Sequence, residues 1–423
     1  MIRGEVGRGS FVTGGNADSA LSPNWDELLR PGSGARPPSG GTGMLSFATS
    51  RPSEELFPLD DFRLSCQEIL DSAELSAILQ LGSPGGYEPL RQYLLDGARR
   101  EGVVRDGDDL LITNGCQQAL DLIRSVLIGS GDRVVLEDPV YPGLKNLFLQ
   151  AGAELSGVAV GLEGIDPDQF DRTVAKDRPR AVMVSPNFQN PTGATMPLSS
   201  RERILRTARQ AGAIVIENDI YGALRYQGDA LPTLKQLDRS GGAILLRSFS
   251  KVAFPGLRVG WVIGPRAFIA RLTEAKQLSD LHTDQFSQAA LLRFAQSGRM
   301  EKHLQRMLQT GAERLRAALK ACEEYLPRGA RFTRPRGGMN LWVTLPEPLD
   351  TSDMLPRAQR EGVTYLPGRY FSISRRHSSA LRLSFAGLRP EQIERGVSVL
   401  GKIFSAELEA IRSAGREPAL AMV

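Results

Sequence analysis

The sequence predicts an α/β protein built on a mostly parallel sheet, with a second, smaller α+β domain. Two observations predict it. Between about residues 95 and 290, short apolar runs rich in branched residues alternate with helical patterns, which is the signature of parallel strands with crossover helices. The chain has 423 residues and is 41% hydrophobic, too long for one simple core, so two domains are expected. Residues 1–43 are rich in Gly, Pro and Ser and read as a flexible arm or linker. Residues 95–290 are expected to form the large domain, and residues 45–94 with 291–412 the smaller one. The strands expected in the large domain are Leu110 to Ile112, Arg133 to Leu136, Ala181 to Val184, Ala213 to Ile216 and Ala243 to Leu246. In such a sheet, functional groups collect at the carboxyl ends of the strands. Arg293 to Glu324 reads as one long helix, and Leu381 to Phe385 as a strand with Arg382 on its polar face.

The residues just past each strand carry the chemistry. After Ala243 to Leu246 come Ser248, Ser250 and Lys251, then a Pro255-Gly256 turn and Arg258. Two hydroxyls and a guanidinium can hold a phosphate, and a lysine can form a Schiff base with an aldehyde. A phosphorylated aldehyde cofactor, pyridoxal 5'-phosphate, satisfies both. Asp219 ends the buried run Ala213 to Ile216, where an unpaired carboxylate is costly. A protonated pyridine nitrogen is a natural partner for it. Tyr221 lies two residues on and can reach the phenolate oxygen of such a ring, as can the amide of Asn190 in Asn190-Pro191-Thr192-Gly193. Thr113-Asn114-Gly115-Cys116-Gln117 opens a helix, and the amides of a helix start suit a phosphate. Cys116 reads as a small loop residue rather than a nucleophile. Tyr141 follows the strand Arg133 to Leu136 and can stack on a pyridine face. Arg382 can grip an α-carboxylate through two parallel hydrogen bonds.

These motifs, in this order, resemble the class I/II aminotransferases of the pyridoxal-phosphate fold type I. The resemblance covers about residues 44–410. It is nearest to the kynurenine/2-aminoadipate aminotransferase branch and to the aminotransferase-like domains of MocR/GntR-type regulators. It also rests on Gly86-Tyr87-Glu88-Pro89-Leu90-Arg91, Gly337-Gly338-Met339-Asn340-Leu341-Trp342 and Gly362-Val363-Thr364-Tyr365-Leu366-Pro367-Gly368. It implies a seven-stranded, mostly parallel large-domain sheet and a homodimer. It also implies transfer of an α-amino group from an amino acid to a 2-oxo acid. Carried over by position, Lys251 matches the Schiff-base lysine and proton shuttle, and Asp219 the ring-nitrogen partner. Asn190 and Tyr221 match the phenolate-oxygen pair, and Tyr141 the stacking ring. Gly115, Cys116, Gln117, Ser248, Ser250 and Arg258 match the phosphate cup, Arg382 matches the α-carboxylate clamp, and Asn190 also counts among the substrate-binding residues. Ser50 and Arg51 occupy a substrate-lining segment.

The chain departs from the family pattern in three places. Leu81 stands where most relatives have a tyrosine that crosses the dimer interface. Thr49-Ser50-Arg51-Pro52 replaces a glycine-containing segment. Arg369 follows Pro367-Gly368, where a smaller residue is common. Leu81 and the Ser50 segment motivate an alternative enzyme reading: oxidation, β- or γ-substitution, or carbon–carbon bond formation on the same cofactor. A second alternative is a ligand-sensing regulator domain lacking its DNA reader. Gly4 to Val12 resembles the last wing strand of a GntR-type winged helix, and Asn24-Trp25-Asp26-Glu27-Leu28-Leu29 the segment after it. No complete helix-turn-helix is present, so DNA reading by that device is not expected. A net charge of +4 is mild for nucleic-acid binding. Three cysteines without metal spacing and three scattered histidines argue against a metal site and a disulfide framework. No apolar run approaches a membrane span. A cytoplasmic, biosynthetic enzyme is the expectation.

Overall fold

The computed structural model describes residues 2–5, 9–12, 43–374 and 376–414. Met1–Arg36 and Pro37–Val423 are separate compact units. In the first, Ile2–Glu5 and Gly9–Val12 pair antiparallel, with Ile2 opposite Val12 and Glu5 opposite Gly9. The segment expected as one wing-like strand, Gly4 to Val12, is therefore divided between two strands. The rest of the arm, including Asn24 to Leu29, lies outside the described residues.

In the second unit an eight-stranded sheet comes first. Its strands are β1 (Asp108–Thr113), β2 (Arg133–Asp138), β3 (Glu154–Gly161), β4 (Gly164–Ile165), β5 (Ala181–Val184), β6 (Ile214–Asn218), β7 (Ala243–Ser248) and β8 (Gly260–Pro265). Their order is β1-β8-β7-β6-β5-β2-β3-β4. The five from β7 to β3 run parallel, while β8 is antiparallel to both neighbours. Five of these contain the strands expected along the chain, and β3 and β8 bring the number to the seven that the resemblance implies. The eighth, β4, adds only two residues at one edge, where the chain doubles back on β3. The strands read as unbroken apolar runs because both faces are covered. Leu111, Leu136, Met183, Ile216 and Leu246 pack on one side with Ala119, Leu120 and Ile123 of α1 (Gly115–Leu127). Val135, Val182, Val184 and Val215 pack on the other with Phe170 and Ile204. That alternation is the pleat of period two.

A four-stranded antiparallel sheet follows, β9 (Arg331–Phe332), β10 (Asn340–Thr344), β11 (Leu366–Pro367) and β12 (Ala380–Ser384), in the order β9-β10-β12-β11. Leu341, Val343, Leu381 and Leu383 of this sheet share a core with Leu315, Cys322, Ile393 and Phe404. These last come from helices Arg299–Tyr325 and Pro390–Ala414. The long helix expected from Arg293 is interrupted. Gln285–Gln296 ends, Gly298 takes φ +76°, and a new helix starts at Arg299. That left-handed conformation suits glycine and ends a helix.

Candidate active site

The carboxyl ends of β1, β2, β5, β6 and β7 lead into the candidate residues, as a parallel sheet with helices on both faces dictates. Asp219 follows β6 and is 6% exposed. Its Oδ1 accepts from Asn187 Nδ2 at 2.8 Å and its Oδ2 from Arg247 Nε at 3.1 Å. Gly222 is required beside it, because a Cβ there would lie 2.8 Å from the Asp219 carboxyl carbon. Tyr221 is 2% exposed, and its hydroxyl lies 3.0 Å from Ser50 Oγ. Burial would raise this phenol. Lys251, the Ser50 hydroxyl and Arg382 together bring it below the ordinary tyrosine value. Lys251 Nζ donates to the Ser50 carbonyl at 2.5 Å and sits 5.6 Å from the Tyr221 ring centre. No carboxylate among the described residues forms an ion pair with Lys251.

Lys251 closes the short 3-10 turn Phe249–Lys251 after β7. Ser248 caps this turn, its Oγ accepting from the Ser250 amide at 3.0 Å. The two hydroxyls are 2.9 Å apart, and Arg258 Nη1 donates to Ser250 Oγ at 3.2 Å. Arg258 itself takes φ +55°. Its guanidinium lies where a Cβ on Gly115 would be, so the start of α1 and this arginine converge. A Cβ on Gly260 would come within 2.9 Å of the Gly115 backbone. The start of α1 therefore lies in the same corner as Arg258, Ser248 and Ser250. Gln117 is exposed on the first turn of α1. Cys116 Sγ donates to the Arg247 carbonyl at 3.4 Å. Burial pushes its thiol up to about 12 in spite of Lys251 and Arg258 nearby, so it is not a thiolate at neutral pH.

Two turns form the remaining wall. Tyr141 precedes α2 (Pro142–Gln150), and its ring is 41% exposed, free to cover a flat ligand. It needs Gly143, because a Cβ there would meet the tyrosine ring at 2.5 Å. Asn190 accepts from Arg382 Nη1 at 3.0 Å. Gln189 stitches the two turns together. It donates to the Pro139 carbonyl at 2.8 Å and accepts from the Thr192 amide at 3.0 Å.

Arg382 differs from its expected place on a polar strand face. It is 3% exposed, bonded also to the Ala48 carbonyl, and its guanidinium lies 5.2 Å from the Phe371 ring centre. Both faces of β12 are covered, so alternation does not expose it. Burial pulls its guanidinium down to about 10, against Tyr221 and Tyr141. Its Nε has no protein partner. Phe371 is held in turn by the end of β2. The amides of Ile373 and Ser374 donate to Asp138 at 2.9 and 3.0 Å, and His377 lies 3.5 Å from it. Burial alone would raise Asp138, but these donors hold its carboxyl at about 2.

The arrangement fits pyridoxal phosphate on its own geometry. One corner carries two hydroxyls, an arginine and the start of α1, and Gly115 is the position where a side chain would close it. The lysine follows directly, and a buried carboxylate lies near it through Tyr221. Asn340, 1% exposed, lies against Tyr221 and helps to lower its phenol, while Arg382 Nε has no protein partner, so polar capacity remains on the substrate side. Ser50 joins this group. Arg51 faces Glu54 at 3.7 Å with its side chain 61% exposed, and Arg369 is paired with Asp350. Sequence reasoning did not find Asn187, Arg247 or Asn340 as functional groups. A lone arginine in the apolar run before Ser248 was the one available signal.

The model of the family "Aminotransferase class I and II" matches residues 46–400. The 2-aminoadipate transaminase of Thermus thermophilus is 37% identical over 85% of this chain and 90% of its own length. The crystal structure of the kynurenine aminotransferase of Pyrococcus horikoshii superposes with a TM-score of 0.85 at 31% identity, covering 93% of this chain and 98% of that one. The HTH-type transcriptional regulator YdfD of Bacillus subtilis is 28% identical over 95% of this chain and 85% of its own length.

Proposed function

The chain belongs to the class I and II aminotransferases and is a pyridoxal-phosphate enzyme of amino-group transfer, and from that premise we propose how its own side chains divide the work. The observation that carries the reading is Lys251, in no ion pair among the described residues, beside Tyr221 and Ser50, with the buried carboxylate of Asp219 two residues before Tyr221.

Pyridoxal phosphate, when bound, supplies an aldehyde that takes the amino group and a ring that accepts electrons released at the α-carbon. Ser248, Ser250, Arg258 and the amides of Gly115, Cys116 and Gln117 hold the phosphate. Tyr141 would cover one ring face. Tyr221 and Asn190 would hold the phenolate oxygen, and Asp219 would pair with the protonated ring nitrogen. Arg382 binds the substrate α-carboxylate, already aligned by Asn190 and the Ala48 carbonyl. Lys251 would hold the aldehyde, and its amine, when free, would be the base placed to take the substrate's α-proton. The Ser50 hydroxyl steadies Tyr221 close to that transfer.

The amino donors we propose are aromatic or long-chain acidic α-amino acids, after the kynurenine and 2-aminoadipate specificities named for the two relatives. The test is a visible absorbance spectrum of the purified holoenzyme with a panel of amino acids and no 2-oxo acid. Kynurenine, phenylalanine and 2-aminoadipate are expected to convert the cofactor to its amine form with stoichiometric 2-oxo acid. Conversion by none of these, with conversion by small aliphatic donors, would overturn the substrate assignment.

We also propose a homodimer. Leu79, Leu81, Leu278 and Leu281 are 68%, 73%, 91% and 57% exposed, an unusual outlay of apolar surface for a monomer. Gln285 Nε2 donates to the Gln80 carbonyl at 2.8 Å, which holds the segment bearing Leu79 and Leu81 in place. Sedimentation at micromolar concentration should give twice the chain mass, and a monomer there would refute it.

A further inference from the structure

Among the described residues, two side chains donate to the Asp219 carboxylate, and they differ in kind. Asn187 is neutral, and its amide is oriented from behind. Its Oδ1 accepts from Arg201 Nη2 at 2.8 Å and Arg225 Nη2 at 3.2 Å, so Nδ2 is the atom left for Asp219. Arg247 is charged. Nε is 3.1 Å from Asp219 Oδ2 and Nη1 is 2.7 Å from Glu101 Oε2. The two carboxylates share its charge unequally. The Glu101 side chain is 51% exposed and screened by water, whereas that of Asp219 is 4% exposed. Glu217, Arg201 and Arg225 also interact with Asp219 through their charges, but among the described residues Arg247 is the one charged group that touches its carboxylate.

A carboxylate paired with a guanidinium is a weaker base than the same carboxylate with neutral donors. We propose that Arg247 is a positioning residue that tempers Asp219: it takes a share of the carboxylate's charge, so the cofactor's ring nitrogen holds its proton less firmly than Asp219 alone would make it. This rests on the reading of Asp219 as the ring-nitrogen partner. The consequence for the reaction is restraint. With the cofactor bound, the ring would accept less of the charge released at the α-carbon.

The test uses the full chain reconstituted with cofactor carrying a nitrogen isotope label in the ring. Solid-state NMR at neutral pH then places the ring-nitrogen signal between its protonated and unprotonated limits. Arg247→Gln is expected to move it toward the protonated limit by the equivalent of about tenfold in proton affinity. Arg247→Lys, which keeps the charge, should stay near wild type. Glu101→Gln, on the surface, should move the signal the opposite way, because Asp219 then receives the whole of the guanidinium's charge. An unmoved signal in both Arg247→Gln and Glu101→Gln overturns the proposal, as does a shift of Arg247→Gln toward the unprotonated limit. Should Arg247→Gln fail to bind cofactor, Glu101→Gln decides alone. Asp219→Asn separates the two readings. It must drive the signal to the unprotonated limit, and if it does not, the assignment of Asp219 has failed rather than that of Arg247.

Discussion

Lys251→Ala should abolish turnover, lowering kcat by roughly 10⁴-fold or more, while the protein folds and still takes up cofactor. Two functions leave with the amine. The covalent anchor to the aldehyde is lost, and so is the only base expected to carry the α-proton, a step worth 10²- to 10⁴-fold by itself. Phosphate binding should persist, because Ser248, Ser250 and Arg258 are bonded to one another and not to the lysine side chain. The check is twofold. Borohydride should fix cofactor mass to the wild type and not to the variant, and a stopped-flow half-reaction should show no cofactor conversion. A variant that completed turnovers at the wild-type rate would refute the assignment of the base.

Asp219→Asn should lower kcat by roughly 10³-fold at unchanged cofactor stoichiometry. An amide cannot hold a proton on the ring nitrogen, so the electron-accepting ring loses its counter-charge. A buried charge pair broken on one side costs about 3–5 kcal/mol, the equivalent of roughly 10²- to 10⁴-fold in rate when it acts only in the transition state. The substitution also leaves the Arg247 guanidinium with Glu101 as its one carboxylate partner, so part of the loss should appear as a lowered melting temperature. Catalytic and structural losses separate in the half-reaction, where conversion per folded molecule is read. Undiminished conversion would mean that Asp219 serves the fold and not the ring.

Much of this was legible along the chain. The strands are apolar runs, and the residues at their carboxyl ends announce themselves because a polar group there is costly unless used. Lys251, Asp219 and Asn190 are each adjacent in sequence to the strand or turn that presents them. The rest depends on which segments meet. Nothing in Thr49-Ser50-Arg51 says that Ser50 reaches Tyr221 while Arg51 faces Glu54. Asn187 reads as a turn residue until Arg201, from the following helix, fixes its amide. Arg382 reads as a solvated strand arginine because periodicity cannot report that Phe371 and Ala48 cover it. The helix break at Gly298 was missed for a different reason. One left-handed residue separates two stretches that are each helical, with the second starting at the next residue.

The amide of Gln189 fastens the turn before Tyr141 to the turn that begins with Asn190. The ring expected over the cofactor and the amide expected at its edge therefore share one hinge pin. A change on either side of the pocket is transmitted to the other, and selection cannot retune the stacking face while leaving the polar edge where it was. Drift in specificity must instead come from elements outside this fastening, such as the Thr49-Ser50-Arg51 segment.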